Sequence, residues 1–487
     1  MRQAGILLAV SSLPSRHGIG DFGPEAYAFV RQLRRTGSSL WQVLPLNPLG
    51  YGNSPYQPYS SKAMDELYVS LELLVKQGLL KRAPRYNMRR RQVDYDAVRA
   101  YKEQYLRLAF SRFAPKRAYQ QFVRANPWVY NYAVFVTLKK KNGMRLWLEW
   151  PRGHRDWIKD KKADLSAYAA DIAYEMFIQF TLYRQWQALK RYANRRGIAI
   201  VGDIPIYVGI DSEDVWSHQE QFLLDEDGYP THIAGVPPDY FSVTGQRWGN
   251  PLYDWNVMEK DGFAFWLDRL GYNAQMFDYI RVDHFRAFDT YWKIPASCPT
   301  AVEGAWIEAP GYAFFDAMFA AFPSLKILAE DLGDLRPQVL TLRDHYRLPG
   351  MKIVQFSFDF AKNPVFKPYV ETNMAVYPGT HDNQTTRGWY LGLKDKDRKK
   401  VRRYLASGGY RTRRVAAGFV ALTMASAPDI AVIPMQDVLG LDDRARMNTP
   451  GTIGAPNWMW KMTSLRPFSE RRTWLRKLIA DSGRGTR

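Results

Sequence analysis

Short apolar runs rich in β-branched and aromatic residues recur along the chain, separated by stretches with helical spacing. Eight stand out, at 5–13, 40–46, 198–207, 279–285, 326–331, 351–358, 374–380 and 430–436. Apolar runs this short, bounded by turn residues, read as buried strands, and their alternation with helical patterns predicts a parallel sheet with crossover helices. Eight such units predict an α/β fold, a closed (β/α)8 TIM barrel. Its core takes about 250 residues, and its chemistry sits at the C-terminal ends of the strands.

The remaining length is read as insertions. Residues 1–66 hold barrel strands one and two, and 67–196 form a large, mainly helical insertion. Within it, Ile172, Met176, Phe180, Tyr183 and Trp186 mark one amphipathic face leading into strand three. Residues 197–481 supply strands three to eight, with no separate C-terminal β-domain, and 482–487 read as a disordered basic tail. Residues 228–255 are rich in Gly, Pro and aromatics and show neither helical nor strand periodicity. Such a segment is expected to be an irregular lid or binding loop.

At 46% hydrophobic residues the 487-residue chain can bury a sizeable core. No apolar run approaches the roughly 20 residues of a membrane span. The run at 5–13 after Arg2 has the look of a secretory core, but no small-residue cleavage site follows it, so it is read as a buried strand. A single cysteine, Cys298, excludes an intramolecular disulfide and a zinc–cysteine site, and suits a reducing cytoplasm. Lys and Arg number 68 against 48 Asp and Glu, a balance of +20 that raises nucleic acid as a partner. The basic runs at 89–91, 139–141, 394–403 and 411–414 are dispersed, however, so solvated faces are the favoured reading. With no phosphate cradle, cofactor fingerprint or calcium loop, neither a cofactor nor a metal is expected.

The chemistry lies where the runs end. In Tyr279-Ile280-Arg281-Val282-Asp283-His284, residues at i and i+2 share a strand face. Arg281 would therefore sit beside Asp283 and stabilise the anionic form that a nucleophile needs. Strand five ends in Glu330-Asp331, strand seven in Thr380-His381-Asp382-Asn383, strand three at Asp203 and strand eight at Asp437. A barrel brings these carboxylates to one mouth. Asp331 and Asp437 fit helix caps or loop anchors, but three acids on separate strands suit glycosidic chemistry. There one carboxylate attacks the anomeric carbon and a carboxylic acid protonates the leaving oxygen. A neighbouring anion would raise the pKa of that acid, and abundant Trp and Tyr would supply flat faces for sugar rings.

Longer motifs extend the picture: Gly18-Ile19-Gly20-Asp21-Phe22-Gly23-Pro24, Trp41-Gln42-Val43-Leu44-Pro45-Leu46, Gly52-Asn53-Ser54-Pro55-Tyr56-Gln57, Gly245-Gln246-Arg247-Trp248-Gly249-Asn250-Pro251 and Arg446-Met447-Asn448-Thr449-Pro450-Gly451. With the acids, they resemble the amylomaltases, 4-α-glucanotransferases related to the α-amylases, over almost the whole length. The resemblance implies transfer of α-1,4-glucan segments between maltooligosaccharides or starch-type chains by a retaining double displacement. It implies Asp283 as nucleophile, Glu330 as acid/base and Asp382 as transition-state stabiliser. Arg281 and His381 would flank the reacting sugar, with Asp203 as the strand-three acid. Tyr56, Asp239, Tyr240, Phe241, Gln246, Trp248, Asp359 and Asn448 would line glucan subsites. Residues 62–66 depart from the family's usual small Gly-Asn-Pro stretch. The alternatives are an α-glucan hydrolase of the same clan, or a basic, non-catalytic glucan- or nucleic-acid-binding protein.

Overall fold

The computed structural model describes residues 2–238, 242–410 and 412–485. Its strands, in chain order, are β1 (Gln3–Leu7), β2 (Leu40–Gln42), β3 (Ala199–Ile204), β4 (His232–Val236), β5 (Gln246–Pro251), β6 (Tyr279–Val282), β7 (Thr290–Pro295), β8 (Ala305–Glu308), β9 (Ile327–Ala329), β10 (Gly350–Ile353), β11 (Met374–Tyr377) and β12 (Ile430–Pro434). Each of the eight apolar runs overlaps one strand of a single parallel sheet, ordered β10-β11-β12-β1-β2-β3-β6-β9. The last barrel strand wraps onto the first, with Gln3 opposite Ile430 and Gly5 opposite Val432. The runs outlast their strands because their final residues turn off the rim and carry polar side chains into the mouth. After β12 the described residues contain helices and loops, with no further strand.

β9 and β10 share no ladder, and a side chain closes this seam. The Ala329 N–H donates to Pro349 O at 2.8 Å, and the Met351 N–H donates to Asp331 Oδ1 at 2.6 Å. Arg343 ion-pairs with the other Asp331 oxygen. A Cβ at position 350 would fall 2.4 Å from Asp331 Oδ2, so only glycine lets this carboxylate reach across. Asp331 is thus the loop anchor expected of it. Asp331→Ala should lower unfolding free energy by about 2 kcal/mol, because it leaves the Met351 amide unpaired and takes from Arg343 one of its two carboxylate partners, Asp344 remaining. Urea denaturation measures this, and a loss below about 1 kcal/mol would remove the seam from the stabilising contacts.

Inside the barrel, alternate residues fill the bore: Met351 and Ile353, Ala375 and Tyr377, Ile430 and Val432, with Leu7, Leu40, Val201 and Leu328. This period-2 plug is the expected core of a small barrel. The same inner face continues up β3 from Val201 to Asp203 and up β6 from Tyr279 to Arg281, so polar groups begin where the apolar plug ends. Between β2 and β3 lie the helices Tyr95–Phe110, Arg117–Ala125, Trp128–Lys141 and Ala169–Asn194. In the last, Ile172, Phe180 and Trp186 are buried and Met176 and Tyr183 are half-buried. No helix among the described residues is long and apolar enough to cross a membrane.

Two expectations need correcting. The segment 228–255 is not irregular: β4 and β5 pair antiparallel within a second sheet, ordered β5-β4-β7-β8. Its glycines hid the pattern. A Cβ on Gly235 would lie 2.2 Å from Gln246 O, so the close approach of the two backbones demands a residue without one. Nor does a tail begin at Ser482. Arg484 is buried and donates to the carbonyls of Met424, Ser426, Pro428 and Asp429. A guanidinium has enough donors to gather the loop before β12 into one clasp.

Candidate active site

Backbone hydrogen bonds set the distances at the mouth. The Asp283 N–H donates to Ile204 O, the Glu330 N–H to Val282 O and the Phe285 N–H to Glu330 O, at 3.0, 3.1 and 3.0 Å. Between these contacts His284 turns into the left-handed region at φ 54°, which His tolerates better than bulkier residues. That turn lifts Asp283 off the end of β6 and aims the His284 N–H at Glu330 Oε2, 2.7 Å away. Asp283 and Glu330 are thereby held as neighbours by main chain, without relying on flexible side chains.

Arg281 binds two carboxylates. Its Nη2 meets Asp283 Oδ1 at 2.8 Å, the contact predicted from i, i+2 spacing, while its Nη1 lies 2.7 and 2.9 Å from the two oxygens of Asp203. The Tyr56 hydroxyl donates to Asp203 Oδ2 at 2.9 Å. Burial opposes the charge on Arg281, but Asp203 and Asp283 more than offset it and hold the guanidinium protonated. Asp203 itself is pushed up by burial, with Arg281 pulling the other way.

Glu330 is the group whose proton affinity is most clearly tuned. Burial, and then the Asp283 charge, raise its carboxyl to about 7, against the opposing pull of Arg281 and the His284 N–H. Desolvation therefore leads and the neighbouring anion comes second, the reverse of the emphasis expected from sequence. His284 is lowered to about 4 by burial, which leaves it neutral. The ring of Trp248 meets it edge-on at 4.9 Å.

Asp382 is tuned the other way. Burial would raise it, but His381, 3.3 Å away, the amide of Asn448, donating at 2.6 Å, and Arg281 hold it well below the usual carboxylate range. Burial lowers His381, and Asp382 more than restores it, so its pKa ends above the ordinary value. The loop is clamped from β12: Arg446 donates from Nη2 to Asp382 O and from Nε to Asn448 O, both at 2.7 Å, and the Asn448 N–H reaches His381 O at 3.1 Å. Further along, Asp443 accepts from Gln384 and Thr385, and Asp437 from Thr386. Asp437 is an anchor, as expected.

Several of these groups border an open cleft of about 1160 Å³; Glu330 is not among its lining residues and sits directly behind His284, which is. Asp283, Asp382, Tyr56, Gln246, Trp248 and Asn448 line it. Arg281, Asp203 and His381 are buried beneath its floor, where Tyr56 stacks on His381 at 5.1 Å and 10°. Asp359 does not line the cleft. It ion-pairs with Lys362 at 2.9 Å and accepts from the Ala361 N–H at 3.0 Å. Asp239, Tyr240 and Phe241 lie outside the described residues. No group of three or more His, Cys, Asp or Glu side chains among the described residues could hold a metal ion.

Sequence reasoning missed Gln355, Phe356, Arg446 and Trp458 as cleft residues. Trp458 has φ 66° and packs against both Tyr56 and His381, at 5.7 and 5.9 Å. The signal for Gln355 and Phe356 was present: they lie just past the last residue of β10, where a barrel places its chemistry. Nothing local marks Trp458, whose position comes from the turn that Asn457 builds by bonding Thr449 and Thr452.

Comparison with known proteins bears directly on this geometry. The Glyco_hydro_77 family model, described as 4-alpha-glucanotransferase, matches residues 8–466. The 4-alpha-glucanotransferase of Thermus thermophilus is 44% identical over 478 residues, covering 95% of each chain. That of Synechocystis is 43% identical and covers 94% of each. The amylomaltase of Streptococcus agalactiae, solved in complex with acarbose, superposes with a TM-score of 0.93 at 33% identity over 100% of both chains. A family match over nearly the whole length, on a barrel that superposes on a solved amylomaltase at 33% identity, places this chain in the 4-alpha-glucanotransferase family.

Proposed function

We propose that the cleft transfers α-1,4-glucan segments from a donor chain to the 4-hydroxyl of an acceptor by retaining double displacement. Glu330 protonates the glycosidic oxygen while a carboxylate oxygen of Asp283 attacks C1. The C1–O bond breaks, the shortened glucan leaves, and a glycosyl ester to Asp283 remains. Glu330, now deprotonated, takes the proton of the incoming 4-hydroxyl, whose oxygen displaces Asp283 at C1 with a second inversion. Asp382 grips hydroxyls of the reacting ring, His381 braces Asp382 from beneath, and Arg281 keeps Asp283 aimed. Tyr56, Gln246, Trp248 and Asn448 serve as walls of the glucan subsites.

One observation carries this assignment. Two acids tied together through the backbone of 282–285 are treated differently: Asp283, which lines the cleft, is ion-paired with Arg281, whereas Glu330, held by the His284 N–H, is raised to about 7 and so keeps its proton near neutrality. Double displacement needs that division between nucleophile and acid. Action in a reducing cytoplasm belongs to the same proposal, which fits a chain whose one cysteine, Cys298, is free.

Maltotriose incubated with the protein is expected to yield glucose together with maltopentaose, separated by length on chromatography. Glucose and maltose alone would show that water, not a sugar hydroxyl, accepts the glycosyl unit, and would favour the hydrolase. Because a relative binds acarbose, acarbose should also compete with maltotriose and raise its apparent KM without lowering kcat. Inhibition that reduces kcat alone would place acarbose outside the cleft.

A further inference from the structure

Away from the cleft, an open hollow gathers four arginines. It measures about 580 Å³, and Arg90, Arg91, Arg387 and Arg444 stand around it. Two of these are engaged: Arg90 pairs with Asp94 at 3.1 Å, and Arg444 grips Asp442 through Nε and Nη2 at 3.0 and 2.9 Å. The side chains of Arg91 and Arg387 make neither an ion pair nor a hydrogen bond among the described residues, although Asp442 feels the Arg387 charge. Four arginines against two aspartates leave two positive charges over. All four arginines are solvent-exposed, so water screens their repulsion and leaves the Arg91 and Arg387 guanidiniums free to meet an anion.

The unmatched charge equals that of a phosphate monoester, which carries about −1.5 to −2 near neutrality. Guanidinium forks match phosphate oxygens in geometry as well as charge. Met459 and Trp460 give the cavity an apolar wall, suited to the C–H face of a small ring. Its volume lies in the range of about 300–1,000 Å³ that holds small molecules, well beyond the needs of an inorganic ion.

The cavity and the catalytic cleft share no lining residue, yet one turn serves both. Asp442 and Arg444 face the cavity. Between them Asp443 accepts from Gln384 and Thr385, and two residues further on Arg446 holds the carbonyl of Asp382. A ligand drawing Arg444 away from Asp442 would pull on the turn that positions Asp382. We propose that this cavity is a binding site for a phosphorylated small molecule, a phosphate monoester of sugar size, and that the 442–446 turn transmits its occupancy to Asp382.

Calorimetric titration of the whole protein with ribose 5-phosphate tests the site, with ribose and inorganic phosphate as separate arms. The titration is repeated on the double variant Arg91→Ala/Arg387→Ala, both positions being exposed. Saturable binding of the ester, at least tenfold weaker in the double variant, is expected, with inorganic phosphate weaker and ribose silent. Absence of binding, or equal binding by the double variant, overturns the site. Ribose binding as tightly overturns its anionic character, and inorganic phosphate binding as tightly overturns the sugar-sized ligand. Saturating ester should also shift the KM for maltotriose at least twofold in the parent and not in the double variant, whose basal turnover matches the parent. An unchanged KM overturns the transmission to Asp382.

Discussion

Asp283→Asn is expected to abolish glucan transfer, lowering turnover of maltotriose by about 10⁴-fold or more, the scale seen when a covalent nucleophile is removed. The substitution keeps the shape of the side chain and removes the anionic oxygen that must attack C1. Stability should change little. Asp283 is partly exposed, and Arg281, its partner at 2.8 Å, keeps the two oxygens of Asp203. Loss of turnover with a near-parent thermal midpoint and retained glucan binding by calorimetry is therefore the expected combination. Parent-like accumulation of maltopentaose by the purified variant would remove Asp283 from the nucleophile's role. NMR of the newly formed linkage supplies a parallel check, since double displacement joins the acceptor through an α bond and single displacement through a β bond.

Glu330→Gln should cost about 10² to 10⁴-fold with maltotriose, the usual worth of a positioned general acid. The deficit should shrink with α-glucosyl fluoride as donor, because fluoride departs with little need of a proton. A fluoride donor that suffers as badly as maltotriose would argue that Glu330 positions the sugar and does not protonate the leaving oxygen. The pH dependence has a definite sign. The acid must carry its proton in the free enzyme, so kcat/KM should be level below about 7 and fall as pH rises through that value. A side-chain amide at this position cannot titrate, so this alkaline limb should vanish in the Glu330→Gln variant. A limb that survives belongs instead to His381, whose pKa is raised because Asp382 outweighs the effect of burial. Asp382 stays ionised throughout this range, held down by His381, Asn448 and Arg281 against burial.

Legibility followed the reach of the interactions involved. The eight barrel strands were visible because a strand buried on both faces needs a continuous apolar run, which nearby residues alone reveal. Asp283 and its arginine were visible for a similar reason, the period of two along one strand. The β4–β5 hairpin was not, since its glycines answer to a partner backbone at Gln246 and its pairing with β7 is remote in the chain. Asp359 illustrates the opposite error: the family resemblance carried it into the cleft, while its own neighbours, Ala361 and Lys362, hold it elsewhere. Arg484 looked like part of a charged tail because burial of a guanidinium depends on five-donor satisfaction by carbonyls some sixty residues away.

By itself the sequence determined the barrel, the strand ends that carry Asp203, Asp283, Glu330 and Asp382, and the family to which they belong, because periodicity and motif spacing are local properties of a chain. Only the tertiary structure decided what those acids are chemically. The pKa of Glu330 follows from burial, from the charges of Asp283 and Arg281 and from the amide of His284 just past the neighbouring strand. Asp382 is set by a histidine beside it and by Asn448, sixty-six residues on. Proton affinity is a sum over everything within a few ångströms in space, and that sum exists only once the chain has closed on itself.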